Sequence, residues 1–344
     1  MAKFYYGGQA VMEGVMMRGR KSVAVAIRCT EGDIYLYEEA LSPKLYQNKL
    51  LRLPFLRGML LLWEMLVLGT RMMTLSTNIA SGAISPSNSS ETSRDSDNSY
   101  ADDGSISSSA NPTADSAEKP AQLGGISLVL TLVISLTFAV AIFFVGPLLL
   151  TSLLHNQIGQ SWLSLVVEGV IRLALLLVYL YLIGRLSDIQ RVFGYHGAEH
   201  KAINALEHGE PLDVAHVRQA SRVHTRCGTG FLLLVMVVSI FVFALIGSHA
   251  LIVNVLARIL LVPVVAGIAY ELMRLGAANY RFLVVRWLLA PGLALQGLTT
   301  REPDDSMIEC AIASLQRVLD SDSPEAAPLV EDKATNISSL AISQ

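Results

Sequence analysis

From Ile126 to Leu154 the chain runs without a charged residue. A helix needs about 20 consecutive apolar residues to cross the hydrocarbon core of a bilayer, and this run exceeds that length. Three more segments of similar character follow. The four together lie near 126–153, 162–184, 229–248 and 250–270. Composition agrees: 52% of residues are hydrophobic and 16% charged, whereas soluble domains carry about 25% charged residues. The expected fold is a mainly α membrane protein with about four transmembrane helices.

Charge placement orients those helices. Of 26 lysines and arginines, twelve precede the first span, six lie in 185–227 and six follow the fourth span. The connectors His155–Ser161 and Gly247–Ala250 carry none. By the positive-inside rule both termini and the 185–227 loop are cytoplasmic. The expected location is the cytoplasmic membrane, multi-pass, in contact with membrane lipids.

One further apolar segment, Leu53–Ile79, carries Arg57, Glu64 and Arg71 at intervals of seven. Seven residues is nearly two helical turns, so the three charges share a face. A span here would invert everything downstream. The segment is therefore expected to be a helix in the cytoplasmic leaflet. Phe282–Leu298, preceded by Arg281 and broken by Pro291, reads as a second membrane-surface element.

Four regions follow. Residues 1–80 form a cytoplasmic N-terminal region. In it Val23–Arg28 and Ile34–Tyr37 are β-rich runs around Thr30-Glu31-Gly32-Asp33, a small β-hairpin. Residues 81–122 are rich in Ser, Asn and Asp and read as a disordered linker. Residues 123–310 are the membrane domain with its cytoplasmic loop 185–227. Residues 311–344 hold a C-terminal segment and a disordered tail. Three scattered cysteines make no disulfide framework and suit a reducing compartment. The N-terminus lacks the apolar core of a signal peptide. No basic stripe points to nucleic acid, and no fixed-period repeat supports a solenoid or inverted-repeat transporter.

The chemistry concentrates in the loop. His196-Gly197-Ala198-Glu199-His200 is an HxxEH. On a helix the histidines lie four apart on one face, so both imidazoles can reach one metal ion, and Glu199 sits beside them as a candidate general base. Inverted zincins complete such a motif with a distant carboxylate. Glu271, at the cytoplasmic end of the fourth span, is the residue topology allows here. His224 and Cys227, in His224-Thr225-Arg226-Cys227-Gly228-Thr229-Gly230, are also metal-competent. The plainer alternative is a solvated helix with capping histidines, Arg226 as an anchor and Cys227 as a small apolar packer.

Gly7–Gly19 is glycine-rich but is neither a Walker loop nor a GxGxxG. Its Glu13 and Arg18 could pair with each other or contribute to a site. Glu168 and Arg172 stand four apart in the second span, with Arg258 at similar depth in the fourth. Charges there cost a few kcal/mol unless paired, so a buried lock is expected in preference to a transport path.

Gly7–Gly19 (GGQAVMEGVMMRG), Tyr195–Lys201 (YHGAEHK), His224–Thr229 (HTRCGT) and Tyr270–Arg274 (YELMR) resemble the bacterial domain-of-unknown-function 1385 family. These are polytopic membrane proteins described as predicted metal-dependent enzymes. The likeness covers most of 5–80 and 124–310, and the serine-rich linker looks like an insertion. It implies His196, Glu199, His200, His224, Cys227, Glu13 and Glu271 as positions of interest and supplies no substrate.

The expected function is a metal-dependent hydrolase at the cytoplasmic membrane surface, with zinc as the expected ion. His196 and His200 would bind it, Glu271, Cys227 or His224 would complete the shell, and the substrate would be membrane-derived. The alternative is a non-catalytic scaffold or assembly factor that binds a cytoplasmic partner. A transporter is third.

Overall fold

The computed structural model of the chain describes residues 6–41, 56–82, 125–153, 162–246, 250–323 and 333–337. Beyond Gly82 the serine-rich linker lies outside these residues. Four strands come first: β1 (Gly7–Val11), β2 (Gly14–Arg18), β3 (Ser22–Arg28) and β4 (Ile34–Ala40). The helices follow as α1 (Leu56–Ala80), α2 (Gly125–Val140) with a π turn over Ala141–Val145, α3 (Gly146–Leu153) and α4 (Trp162–Ile183). Next are α5 (Ser187–His208), α6 (Val214–Gln219), α7 (Gly228–Ile246) and α8 (Leu251–Ala278). Last come α9 (Leu283–Thr299), α10 (Asp305–Asp322) and a short β5 (Lys333–Ile337).

The strands form an antiparallel meander, β1-β2-β3-β4-β5. The expected hairpin is β3–β4, with Val25 opposite Tyr37. The N-terminal sheet is larger than one hairpin, because Gly7–Gly19 supplies another. Its strands are built from Gly and Met rather than β-branched residues, and its turn, Met12-Glu13, lacks the Asn-Gly or Asp-Gly that announces a tight hairpin. Glu13 takes φ +51° in that turn. Gly14 beside it has no alternative, since a Cβ there would stand 2.2 Å from the Ala26 carbonyl oxygen. Beyond α10 the C-terminal segment places β5 against β4, with Leu36 opposite Thr335.

The sheet is buried on both faces, and side chains alternate between them. Val11, Met16, Val23, Val25 and Ile27 meet Leu68, Met72 and Ile79 of α1. Ala10, Val15, Met17, Ala24 and Ala26 meet α5 and α10, including Tyr195, Ala198, Ile308 and Leu315. The small Ala24 lets α10 approach until Ser314 Oγ donates to the Ala24 carbonyl at 3.0 Å. The three charges along α1 all find partners. Arg57 pairs with Glu271 of α8, Glu64 with Arg18 of β2 at 3.0 Å, and Arg71 with Glu39 of β4 at 2.9 Å.

Five helical runs are long and apolar enough to cross a membrane: α1, the run through α2 and α3, α4, α7 and α8. Helix α9 is apolar but shorter. Within the bundle, Glu168 of α4 is the acceptor of a buried network. Arg172 reaches its Oε1 at 2.5 Å, and Arg258 of α8 reaches its Oε2 at 2.7 Å. Arg172 also donates to Ser239 Oγ of α7 at 2.7 Å and to the Phe143 carbonyl at 2.9 Å. A π turn leaves a carbonyl outside the i→i+4 ladder, so Phe143 is placed to accept. Both guanidiniums lie over the Phe243 ring, Arg172 at 5.3 Å and Arg258 at 4.9 Å. Two cations on one carboxylate leave an excess positive charge, and the ring face, hydroxyl and carbonyl solvate it.

Candidate metal centre

Helix α5 starts after Leu186 with Asp188 in its first turn, which suits the positive end of the helix dipole, and ends at Gly209 with φ +77°. Between those ends His196 and His200 stand one turn apart with ring centroids 4.4 Å from each other. Each ring is fixed from outside. His196 Nδ1 lies 2.9 Å from the Thr299 carbonyl at the end of α9. His200 Nδ1 lies 2.6 Å from the Arg222 carbonyl in the loop after α6. A carbonyl only accepts, so each Nδ1 carries the proton and each Nε2 keeps its lone pair. That is how ligating histidines are commonly oriented.

Cys227, buried at the start of α7, supplies the third donor. Its Sγ lies 3.4 Å from His196 Nε2 and accepts the Thr229 N–H at 3.4 Å. Donor atoms of His196, His200 and Cys227 all lie within 4.8 Å of one another. Two neutral imidazoles and a thiolate suit zinc, and three protein ligands leave a fourth position open in a tetrahedral site. The donor chemistry therefore fits a divalent ion.

The loop carrying Arg222 and Cys227 is held by α5 and α9. Asn204 Nδ2 donates to the Ser221 carbonyl at 2.6 Å and to the Val223 carbonyl at 3.0 Å. Lys201 Nζ donates to the Arg218 carbonyl at 2.6 Å and pairs with Glu302 at 2.7 Å. Gln296 clamps His224 from both sides, accepting its N–H at 2.9 Å and donating to its carbonyl at 2.8 Å. Gly197 is small for a reason: a Cβ there would stand 2.1 Å from the Arg301 carbonyl oxygen.

The other expected site residues go elsewhere. Glu271 is outside the trio, and both its oxygens take Arg57, at 2.9 and 2.6 Å. His224 stands behind His200, ring centroids 5.7 Å apart, with its Nε2 3.6 Å from Glu207 Oε2. Burial holds the His224 imidazole below its ordinary range, with Glu207 opposing. Burial pushes Glu207 the other way, but the His224 contact and the Arg226 charge outweigh it and lower its carboxyl. Glu199 is buried, and its Oε1 accepts the Gly8 amide of β1 at 3.1 Å. Burial pushes its carboxyl up, and nearby His196 opposes. Glu13 pairs with Arg191 of α5 and accepts the Tyr195 hydroxyl at 3.2 Å, not Arg18. Thr299, Arg222, Gln296 and Asn204 were not singled out in the sequence. For Asn204 a signal existed: it continues the four-residue step from His196 and His200. Backbone acceptors such as Thr299 carry none.

Residues 53–321 match the family described as "Protein of unknown function (DUF1385)". The chain belongs to the DUF1385 family. Family likeness extends to the "Uncharacterized protein YqhQ" of Bacillus subtilis (strain 168), 34% identical over 320 residues, which cover 91% of this chain and 92% of that protein. No solved structure matches this DUF1385 chain.

Proposed function

We propose that this protein is a membrane-embedded, metal-dependent hydrolase whose zinc site lies at the cytoplasmic surface of the cell membrane. The observation that carries the reading is the orientation of the two imidazoles. Thr299 and Arg222 take both Nδ1 protons, which leaves both Nε2 lone pairs to join Cys227 Sγ. A bound divalent ion would supply Lewis acidity and lower the pKa of water. The chain's own groups do the remainder. The two carbonyls hold the rings, the Thr229 amide donates to the Cys227 sulfur, and Glu199, whose carboxyl burial raises, is the candidate general acid–base beside them.

Topology supports a cytoplasmic site. The positive-inside count puts 185–227 inside, and α7 leaves from Cys227 while α8 returns to the same side. Four spans remain if α1 is a surface helix. Its Leu68, Met72 and Ile79 bury on the sheet, and its Glu64 and Arg71 pair with strands, which supports that reading. Helix α9 is shorter than the five long apolar runs and its Thr299 end meets His196, which supports reading it as a second surface helix.

A non-catalytic scaffold with a structural metal is the second reading. What favours it is Glu199: one carboxyl oxygen already accepts the Gly8 amide. The spectrum at the zinc X-ray absorption edge separates the two. The hydrolase reading expects one sulfur at about 2.3 Å, two nitrogens at about 2.0–2.1 Å and a fourth light-atom ligand that exchanges with added anions. A closed, non-exchanging shell contradicts it.

A further inference from the structure

Nearly every cationic side chain in the fold is spoken for. The arginines of α1, the sheet and the bundle pair with carboxylates, Lys201 holds Glu302, and Arg281 and Arg286 lie over aromatic rings. Among the described residues, two arginine side chains have no hydrogen-bond, ion-pair or ring partner there: Arg222 and Arg301. One is half-buried and the other exposed.

Both belong to the backbone that fixes the metal ligands. The Arg222 carbonyl takes the His200 Nδ1 proton. Arg301 follows Thr299, whose carbonyl takes that of His196, by two residues. Its own N–H donates to the Phe193 carbonyl at 2.8 Å, and its carbonyl presses on Gly197. The two arginines therefore belong to the two backbone segments that hold the histidine pair, Arg222 at His200 and the Thr299–Arg301 segment at His196. The acid nearest each in sequence is occupied: Glu302 by Lys201 and Asp213 by His216.

We propose that the site takes a phosphate group, bound by Arg222 and Arg301 beside His196, His200 and Cys227. This rests on the metal-site reading above and names its substrate class. A divalent ion outweighs one thiolate, and two guanidiniums add to the same sign, so the locality attracts an anion. Guanidinium forks match tetrahedral oxyanions, and two of them on separate segments suit a group with several oxygens better than a single carboxylate. The phosphate could belong to a lipid headgroup or to a soluble ester.

Isothermal titration of the zinc-loaded full chain, in a phosphate-free maltoside detergent, tests this with three probes: inorganic phosphate, a short-chain phosphatidic acid and an uncharged short-chain diacylglycerol. The expected result is binding of a phosphate-bearing probe and none of the diacylglycerol. R222Q/R301Q should weaken that binding by about tenfold or more, as loss of charge-assisted hydrogen bonds does. R281Q/R286Q should leave it unchanged. Phosphatidic acid alone binding identifies the lipid source, and equal binding of both identifies the free group. No heat from either phosphate probe, an undiminished affinity in R222Q/R301Q, or an equal loss in R281Q/R286Q overturns the proposal. Zinc content is measured on the same samples. If the wild type holds no ion but arginine-dependent phosphate binding persists, the metal reading falls and the phosphate site stands.

Discussion

Cys227 Sγ lies 3.4 Å from His196 Nε2, although His196 stands in the middle of one helix and Cys227 immediately before another of different character. One belongs to the polar helix that packs on the sheet, the other leads into an apolar helix. Their meeting ties the layer packed on the sheet to the apolar bundle and decides which of several candidate donors joins the histidine pair.

Glu271 is the informative comparison. Its carboxylate is engaged by Arg57, so Glu271→Gln should keep the metal that Cys227→Ala loses. The Arg57 pair is partly exposed, and its loss should cost no more than about 1 kcal/mol. Emission spectroscopy of the purified variants checks the first point and thermal melts the second.

Gly197→Ala tests the packing of the Arg301 segment. The new Cβ would meet a backbone oxygen at 2.1 Å, so the segment carrying Thr299 must shift. Overpacking of this kind costs about 1–3 kcal/mol. Disturbing a support of a ligating imidazole should also weaken metal affinity by about 10–100-fold, read by chelator competition.

Glu168→Gln should be among the most damaging single changes in the bundle. It leaves Arg172 and Arg258 buried without their carboxylate, a loss of about 3–5 kcal/mol. Replacing all three charged residues by Leu or Met should recover most of the melting temperature. A transport path would instead lose function with little change in stability.

Glu13 gives the fold an acid-sensitive contact. The hydrogen bond from Arg191 holds its carboxyl below the ordinary value of 4.5, against the effect of burial. A carboxylate with a depressed folded pKa adds stability above its unfolded value and loses it as pH falls through the folded one. Glu13→Gln should therefore cost about 1 kcal/mol at neutral pH. The gap from wild type should close below the ordinary carboxylate range. Chemical denaturation across that range reads both.

Much of this was legible in the residues. The apolar runs declared themselves by length, and β3–β4 by their β-branched content. The spacing of His196 and His200 put both rings on one face without further help. Other features depended on contacts that no local pattern encodes. Gly7–Gly19 gives no strand signal, since glycine and methionine carry none, yet burial on both faces of the sheet makes strands of it. The third member of the cluster could not be chosen from spacing, since Cys227, His224 and Glu271 were all chemically competent. The choice was made by groups far away in the chain: Arg57 claims Glu271, Glu207 and Gln296 hold His224, and Thr299 turns His196 toward Cys227.

Metal content of the full chain, purified in detergent without chelators, bears most directly on the centre. About one zinc per chain is expected in the wild type, with little left in His196→Ala, His200→Ala or Cys227→Ala while each still folds. A folded wild type without stoichiometric metal after zinc loading, or three variants that all keep it, would contradict the account.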